Sequence, residues 1–309
     1  MQIIYQSEIE KSAPCVATVG FFDGVHAGHR FLIEELKVIA KKQNQKSVVV
    51  TFAVHPRKVL NSEFQPDLLT SLSEKLIQLE STGIDGCVVL DFTLEMAQLS
   101  AYEFLKTILK EQLNVHTLLV GHDHRFGHNR TDGFAEYKKY GETLGMDVIQ
   151  ANKFNTDVDQ HISSSEIRSA LTKGEIESAN RLLTYEYSIQ GVVVKGFQVG
   201  RTIGFPTANI EPEDPEKLIP EKGVYAVRVH WNDLKYKGML NIGQRPTLDN
   251  GQDISIEVYI IDFDADIYNQ TLKIDFVHKI RNEQKFNGVE ALKEQLQKDR
   301  LYVQNMDID

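Results

Sequence analysis

Nothing in the 309-residue sequence approaches the roughly 20 consecutive apolar residues of a bilayer-spanning helix, so a membrane-embedded chain is not expected. Basic residues are in the minority: 34 Lys and Arg stand against 44 Asp and Glu, a net charge of −10. That balance argues against binding nucleic acid through a broad basic surface. It leaves small phosphorylated ligands open, because a few local cations, backbone N–H groups and a divalent ion suffice to hold them. Cysteine is nearly absent. Cys15 and Cys87 lie far apart and match no metal or redox spacing, and both read as small apolar residues in a reducing compartment. The opening MQIIYQSEIEKSAP has no basic stretch followed by an apolar run, so no secretory signal is expected and the chain reads as cytoplasmic. Internal repeats and low-complexity segments are also missing.

What remains is the pattern of a globular protein long enough for two domains. The first half alternates strand and helix. Residues 15–22 (CVATVGFF), 47–54 (SVVVTFAV), 86–91 (GCVVLD), 117–121 (TLLVG) and 146–150 read as strands. Residues 29–43, 74–81, 102–112 and 133–144 read as helices, the first with Leu32, Leu36 and Ile39 on one face. This order predicts a parallel sheet covered on both faces, with ligands beyond the carboxyl ends of its strands. Residues 163–183 read as two short helices broken at Lys173-Gly174. Beyond residue 184 the text changes to successive strands, at 189–194, 223–230, 235–242, 254–261 and 272–280, with a closing helix at 289–302. Strands without intervening helices predict an antiparallel barrel or sandwich. The expected domains are 1–184 and 185–309.

The strand at 15–22 runs into a helix through GFFDGVHAGH. Gly24 and Gly28 permit a sharp turn and close approach of a ligand, and the helix N-terminus offers unpaired N–H groups to phosphate. Gly20, Phe22, Gly24 and Gly28 are the candidate phosphate contacts of this turn. His26 and His29 can converge and stabilise charge on phosphorus; two histidines at this spacing also suit a structural role or a metal. The His-x-Gly-His pattern is similar to the nucleotidyltransferase motif, in which both histidines contact a nucleoside triphosphate. TFAVHP ends the next strand with His55, and GHDHRFGHNR, with Asp123 and Arg125, follows another. Taken alone, the latter also fits a solvated loop or a weak metal site. In ISSSEIR, Ser163 and Glu166 fit a capping box, while Ser163, Ser164 and Arg168 could equally form an anion site.

The second half carries GRTIGFPTAN. Gly196, Gly200 and Gly204 recur at four-residue spacing and, with Arg201, could cradle phosphates. The hydroxyl of Thr207 and the side-chain carbonyl of Asn209 are hard oxygen ligands suited to Mg²⁺ on ATP phosphates. Phosphoryl transfer to a hydroxyl needs a base, and Glu257 lies on an otherwise apolar strand, where a carboxylate costs desolvation unless it works or is paired. Strand alternation could instead turn Glu257 to solvent.

Nine segments occur in order along the chain: GFFDGVHAGH, TFAVHP, GHDHRFGHNR, ISSSEIR, GRTIGFPTAN, GVYAV, NIGQRPT, EVYIIDFDADIY and IRNEQKF. Over essentially its full length the chain thereby resembles the bacterial bifunctional riboflavin kinase/FMN adenylyltransferases, also called FAD synthetases. The resemblance implies an α/β nucleotidyltransferase domain with a Rossmann-like parallel sheet, then an antiparallel β-barrel riboflavin kinase domain with a C-terminal helix. It implies Thr207 and Asn209 as Mg²⁺ ligands, and Glu257 as the base that activates riboflavin against ATP. It implies that His26, His29, Ser164 and Arg168 stabilise pyrophosphate as FMN attacks a second ATP. His55, Asp123, Arg125, Arg245 and Arg281 are flavin or nucleotide contacts on the same basis. The substrates and products so implied are riboflavin, FMN, FAD and ATP, with no nucleic-acid or membrane partner. Three positions depart from the family pattern. Ser165 stands for threonine, His124 for Phe or Tyr, and Thr184-Tyr185-Glu186-Tyr187 for Gly-Arg-Pro-Tyr. Competing readings are a kinase-only chain with a decayed or redirected first domain, and a flavin-binding regulator.

Overall fold

The computed structural model describes residues 1–308 apart from 11–12, 62, 66, 123, 129–130, 155–161, 197–198 and 245–253, and the side chain of 199 is also not described. Asp123 and Arg245 therefore lie outside the described residues. The chain separates into two compact units, Met1–Ser163 and Ser164–Asp309.

In the first unit the elements are β1 (Gln2–Tyr5), β2 (Cys15–Val19), α1 (Ala27–Gln43), β3 (Lys46–Phe52), α2 (Pro56–Leu60), α3 (Leu72–Glu80), β4 (Gly86–Leu90), α4 (Leu94–Gln98), α5 (Ala101–Glu103), β5 (Val115–Val120), α6 (Phe134–Leu144) and β6 (Asp147–Gln150). Helix α5 continues as a π-helical run, Phe104–Gln112. The strands form one sheet in the order β1-β4-β3-β2-β5-β6, with every pairing parallel. Neighbouring residues on each strand feed opposite cores, as side-chain alternation demands. Ala17, Val50, Val88 and Leu118 pack with Phe104 and Tyr137, whereas Val16, Val49, Val89 and Leu119 pack with Ile33 and Leu36 of α1. The continuous β-branched runs thus arise from burial on both faces. Cys15 belongs to the first core and Cys87 to the second. Burial pushes their thiols up to about 11 and about 12, in keeping with the reading of both as small apolar residues.

The expected strand at 15–22 stops at Val19, because the next residues turn: Phe22 and Gly24 have φ of 56° and 78°. Strand β1 and helices α2 and α4 are additions to the expected elements. Each is only four or five residues long, too short for a periodic signal.

The second unit opens with α7 (Ser164–Thr172) and α8 (Ile176–Leu183), followed by β7 (Ser188–Val194), α9 (Val199–Thr202), β8 (Ala208–Pro212), β9 (Gly223–Trp231), β10 (Leu234–Gln244), β11 (Ile254–Ile260), β12 (Thr271–Arg281) and α10 (Val289–Asn305). Six strands close a barrel in the order β10-β11-β8-β7-β12-β9, with every pairing antiparallel. Of the two expected architectures, the barrel is the one formed. Closure removes the edges a sandwich would leave unpaired. Strand β8, hidden inside PTANIEP, is the one that closes it between β7 and β11. Among the described residues no helix is long and apolar enough to cross a membrane.

Candidate active sites

The chain order of the first sheet reverses at β2: β3, β4 and β1 lie to one side, β5 and β6 to the other. A crevice beyond the carboxyl ends of β2 and β5 is where such sheets take ligands. GFFDGVHAGH leaves β2 there, and GHDHRFGHNR leaves β5.

Gly20 N–H still pairs with Val50 O at 3.0 Å, and then the backbone turns. A Cβ on Gly20 would meet the Phe22 ring at 2.9 Å. Asp23 is buried, and its carboxylate accepts from Leu69 N at 3.0 Å and from Thr70 N at 3.1 Å, while Thr70 Oγ1 accepts from Gly24 N at 3.1 Å. The turn is thus pinned to the loop that leads into α3. His26 caps α1: its Nδ1 accepts from His29 N at 3.4 Å. A neutral His26 therefore carries its proton on Nε2, as a donor. The His26 and His29 rings stack, 3.7 Å between centroids and 18° apart in plane. His29 Nδ1 is buried with no hydrogen-bond partner among the described residues. Burial, then the charges of His26, His124 and Lys75, hold its imidazole well below the ordinary histidine range. A Cβ on Gly28 would lie 3.3 Å from the His26 ring and 3.9 Å from Ile162 O, so the residue before Ser163 comes to the start of α1.

His55 caps α2 through Nδ1, which accepts from Arg57 N at 3.1 Å, and its ring meets the edge of Phe21 at 4.7 Å. His124 lies within electrostatic reach of His29. Arg125 is exposed, within electrostatic reach of Glu136 at the start of α6. The loop bearing both is anchored by Phe126, which stacks on Tyr137 at 4.2 Å and exchanges two hydrogen bonds with its hydroxyl. Ser163 immediately precedes α7, which begins at Ser164 and carries Arg168 one turn on.

On the barrel, β11 sets Glu257 opposite Asn209 of β8 on one side and Asn241 of β10 on the other. Thr207 Oγ1 donates to Glu257 Oε2 at 3.2 Å. Glu257 is half-buried. Alternation puts it on one face with Ser255 and Tyr259, and Tyr259 packs with Val303 of α10. A Cβ on Gly196 would sit 2.1 Å from Asn209 Nδ2, and one on Gly200 would sit 2.2 Å from Phe205 O. At residues 196 and 200 the backbone therefore comes close to Asn209 and Phe205 because neither residue carries a side chain. Gly204 takes φ +85°, and Arg201 is exposed on α9. Gly243 plays the same part across the strand: a Cβ there would meet Glu283 Oε1 at 2.7 Å, Asn241 Nδ2 at 3.0 Å and Ser255 Oγ at 3.3 Å. Arg281 is engaged elsewhere. Its Nε and Nη2 donate to buried Asp299 of α10 at 3.0 and 2.8 Å.

Two family models divide the chain between them. The one described as FAD synthetase matches residues 8–166, and the one described as riboflavin kinase matches residues 183–306. Curated relatives named bifunctional riboflavin kinase/FMN adenylyltransferase match nearly end to end. The protein from Listeria monocytogenes is 40% identical over 92% of this chain and 90% of its own. That from Bacillus subtilis is 38% identical over 94% and 92%, and that from Escherichia coli K12 is 38% identical over 93% and 91%. The chain belongs to the bifunctional riboflavin kinase/FMN adenylyltransferase family. A crystal structure from Streptococcus pneumoniae, described as a macrolide-efflux protein, has the same fold over 99% of this chain and 100% of that one, with TM-score 0.90 and 31% identity. The efflux description belongs to that neighbour.

Within the family frame, the sequence had pointed to Thr207, Asn209 and Glu257, and the barrel brings all three together. Asn241, Ser255 and Glu283 were not singled out, although NIGQRPT and IRNEQKF hold two of them. Asp23, Thr70 and Lys75 were likewise missed. Asp23 sits inside GFFDGVHAGH, but its partners are 46 and 47 residues away in sequence.

Proposed function

We propose that the chain makes FAD in two steps, phosphorylating riboflavin in residues 185–309 and adenylylating FMN in residues 1–184. The observation that carries the reading is the meeting of Glu257 on β11 with Asn209 on β8 and with Thr207 just before β8. Their donors fit Mg²⁺. Thr207 donates a hydrogen bond from its hydroxyl to Glu257, which leaves the oxygen lone pairs for a hard cation, and Asn209 adds a carbonyl oxygen. Bound there, Mg²⁺ offsets the charge of the ATP phosphates.

In the kinase step Glu257 accepts the proton of the riboflavin 5′-hydroxyl. That oxygen forms a bond to the γ-phosphorus as the bond to the β–γ bridging oxygen breaks and ADP departs. The backbone around Gly196, Gly200 and Gly204, with Arg201, lines the phosphates. In the second step a phosphate oxygen of FMN attacks the α-phosphorus of another ATP, and pyrophosphate leaves. The amides at the start of α1 and the His26 Nε2–H meet the departing charge beside the neutral His29 ring, so positioning and electrostatics do the work. Ser163, Ser164 and Arg168 are assigned to phosphate contact. His55 and Arg125, with Asp123 and Arg245, are assigned to flavin or nucleotide contact, and Arg281 serves mainly to tie β12 to α10. We place the enzyme in the cytoplasm, where ATP is supplied.

The test is incubation with riboflavin, ATP and Mg²⁺ followed by chromatography of the flavins. FAD accumulation is expected. FMN alone would leave a kinase-only chain, and neither product would end the enzyme reading.

A further inference from the structure

Lys75, on the second turn of α3, is almost completely buried at 2% exposure. Its ammonium donates to Phe52 O at 2.9 Å and Phe21 O at 3.2 Å, and stands 4.0 Å over the Phe21 ring. Those carbonyls belong to the last residue of β3 and to the second residue past the carboxyl end of β2. They present partial negative charge where an anionic ligand of this fold must rest. Burying an ammonium costs several kcal/mol unless its donors are satisfied, and a methionine would fill the same volume without a charge. Phe22, between Phe21 and the Asp23 clamp, is held in the left-handed region at φ 56°. α3 starts directly after the loop that Asp23 pins, fixed by a Ser71–Glu74 capping box. One segment thus ties the phosphate turn from both sides, through Thr70 to Asp23 and Gly24, and through Lys75 to Phe21.

We propose that Lys75 is a positioning residue of FMN adenylylation: its buried ammonium joins the ends of β2 and β3 and supplies a fixed positive charge beneath the triphosphate of ATP. Burial brings the ammonium down to about 8, against the pull of Asp23 and Cys87, so most of it stays charged at neutral pH. The groups facing it are Asp23 in the turn, Cys87 on β4 and His29 on α1. His29 is in turn faced by His26 and His124. Burial does most to keep a proton off His29, and the positive charges around it add to that; those same charges draw a phosphate to the place.

The inference rests on seating the triphosphate at the His26–His29 turn, so Lys75→Gln and Lys75→Met are assayed beside His29→Ala. Gln keeps N–H donors for the carbonyls and removes the charge; Met removes both. Both should raise the KM for ATP in FMN adenylylation about tenfold, the scale of one charge acting over about 10 Å at an effective dielectric near 20. kcat should change little, and riboflavin phosphorylation should stay at its ordinary rate. A Lys75→Gln chain with ordinary KM for ATP makes Lys75 a strand staple and overturns the proposal, as does an equal loss of the kinase step. An effect of His29→Ala with none from either Lys75 variant sinks this inference alone; no effect from any of the three sinks the seat itself. The unmodified chain gives a second reading that needs no variant to fold. In a lysine ¹³Cε-labelled sample, the Lys75 signal, shifted by the Phe21 ring, should titrate at higher pH once a non-hydrolysable ATP analogue is bound. A midpoint indifferent to the analogue overturns the proposal.

Discussion

Thr207 and Glu257 lie 50 residues apart in sequence, and the barrel joins them by a hydrogen bond of 3.2 Å from the threonine hydroxyl to the carboxylate. The bond fixes the carboxylate as an acceptor and leaves the lone pairs of the hydroxyl oxygen turned away from it. Glu257→Gln keeps the size and loses the basicity. Riboflavin phosphorylation should fall about 10²- to 10⁴-fold, the usual contribution of a positioned base, while supplied FMN is still converted to FAD. An unchanged kinase rate removes Glu257 as the base.

The close approach of Gly196 to Asn209, the cross-strand neighbour of Glu257, depends on a missing side chain. The 2.1 Å between a Cβ on residue 196 and Asn209 Nδ2 is too short for any rotamer adjustment of the new methyl, so in Gly196→Ala the Asn209 amide must move. Misplacement of about 1 Å can cost about 10²-fold in rate. The variant should lose kinase activity and need more Mg²⁺, with thermal unfolding close to that of the parent. Ordinary Mg²⁺ dependence would show that Asn209 does not hold the ion.

His29→Ala should do the reverse of Glu257→Gln and slow only FMN adenylylation. Burial and three neighbouring charges hold the His29 imidazole below the ordinary 6.5. A lowered histidine is neutral at pH 7 and gains its proton only at more acid pH. In the unmodified enzyme kcat/KM for FAD formation, which reports the free protein, should therefore show no His29 limb at 6.5 or above. A limb near 6.5 that vanishes in His29→Ala contradicts the buried, neutral ring.

The features readable in sequence are those whose partners are neighbours in the chain. Val49-Val50 and Val88-Val89 announce strands buried on both faces, because each adjacent pair must find two cores. PTAN offers two hard oxygen donors by type and spacing. It does not reveal that Ala208 begins a strand, since Pro206 and Asn209 both disfavour one; barrel closure between β7 and β11 overrides them. Glu257 is ambiguous in sequence because alternation fixes only its face, and what covers that face is α10, from 32 residues further on. Lys75, near the start of the helix expected at 74–81, carries no signal in sequence that sets it apart. Only the strand ends it meets, at Phe21 and Phe52, do so.

Thr184 ends α8 with φ 69°, and its N–H donates to Asn180 O at 2.8 Å. Helices commonly close through a left-handed residue that is usually glycine, and a β-branched residue there is strained by about 1–2 kcal/mol. Thr184→Gly should therefore raise stability by about 1 kcal/mol after the extra entropy of glycine in the unfolded chain is counted. Urea unfolding checks it, and a lower midpoint would mean that the Thr184 side chain supports the junction.

The two thiols give stability a sign at alkaline pH. Cys15 and Cys87 ionise near 9.0 when exposed, and burial pushes them up to about 11 and about 12 in the fold. Above pH 9 the unfolded chain releases thiol protons that the folded chain retains, so each thiol favours unfolding increasingly until its folded value is reached. The loss is on the order of 1 kcal/mol per thiol by pH 10. Lys75 acts oppositely. Its ammonium, lowered from 10.5 to about 8, gives up its proton first in the folded chain, so stability rises with pH between those values. The two effects overlap from 9 to 10.5, and deleting one exposes the other. Cys87→Ala starts lower because of its cavity, but its urea midpoint should decline less steeply than the parent's between pH 9 and 10.5. Lys75→Met should decline more steeply over the same range. Parallel profiles for the parent and both variants would mean that neither Cys87 nor Lys75 changes its proton affinity on folding.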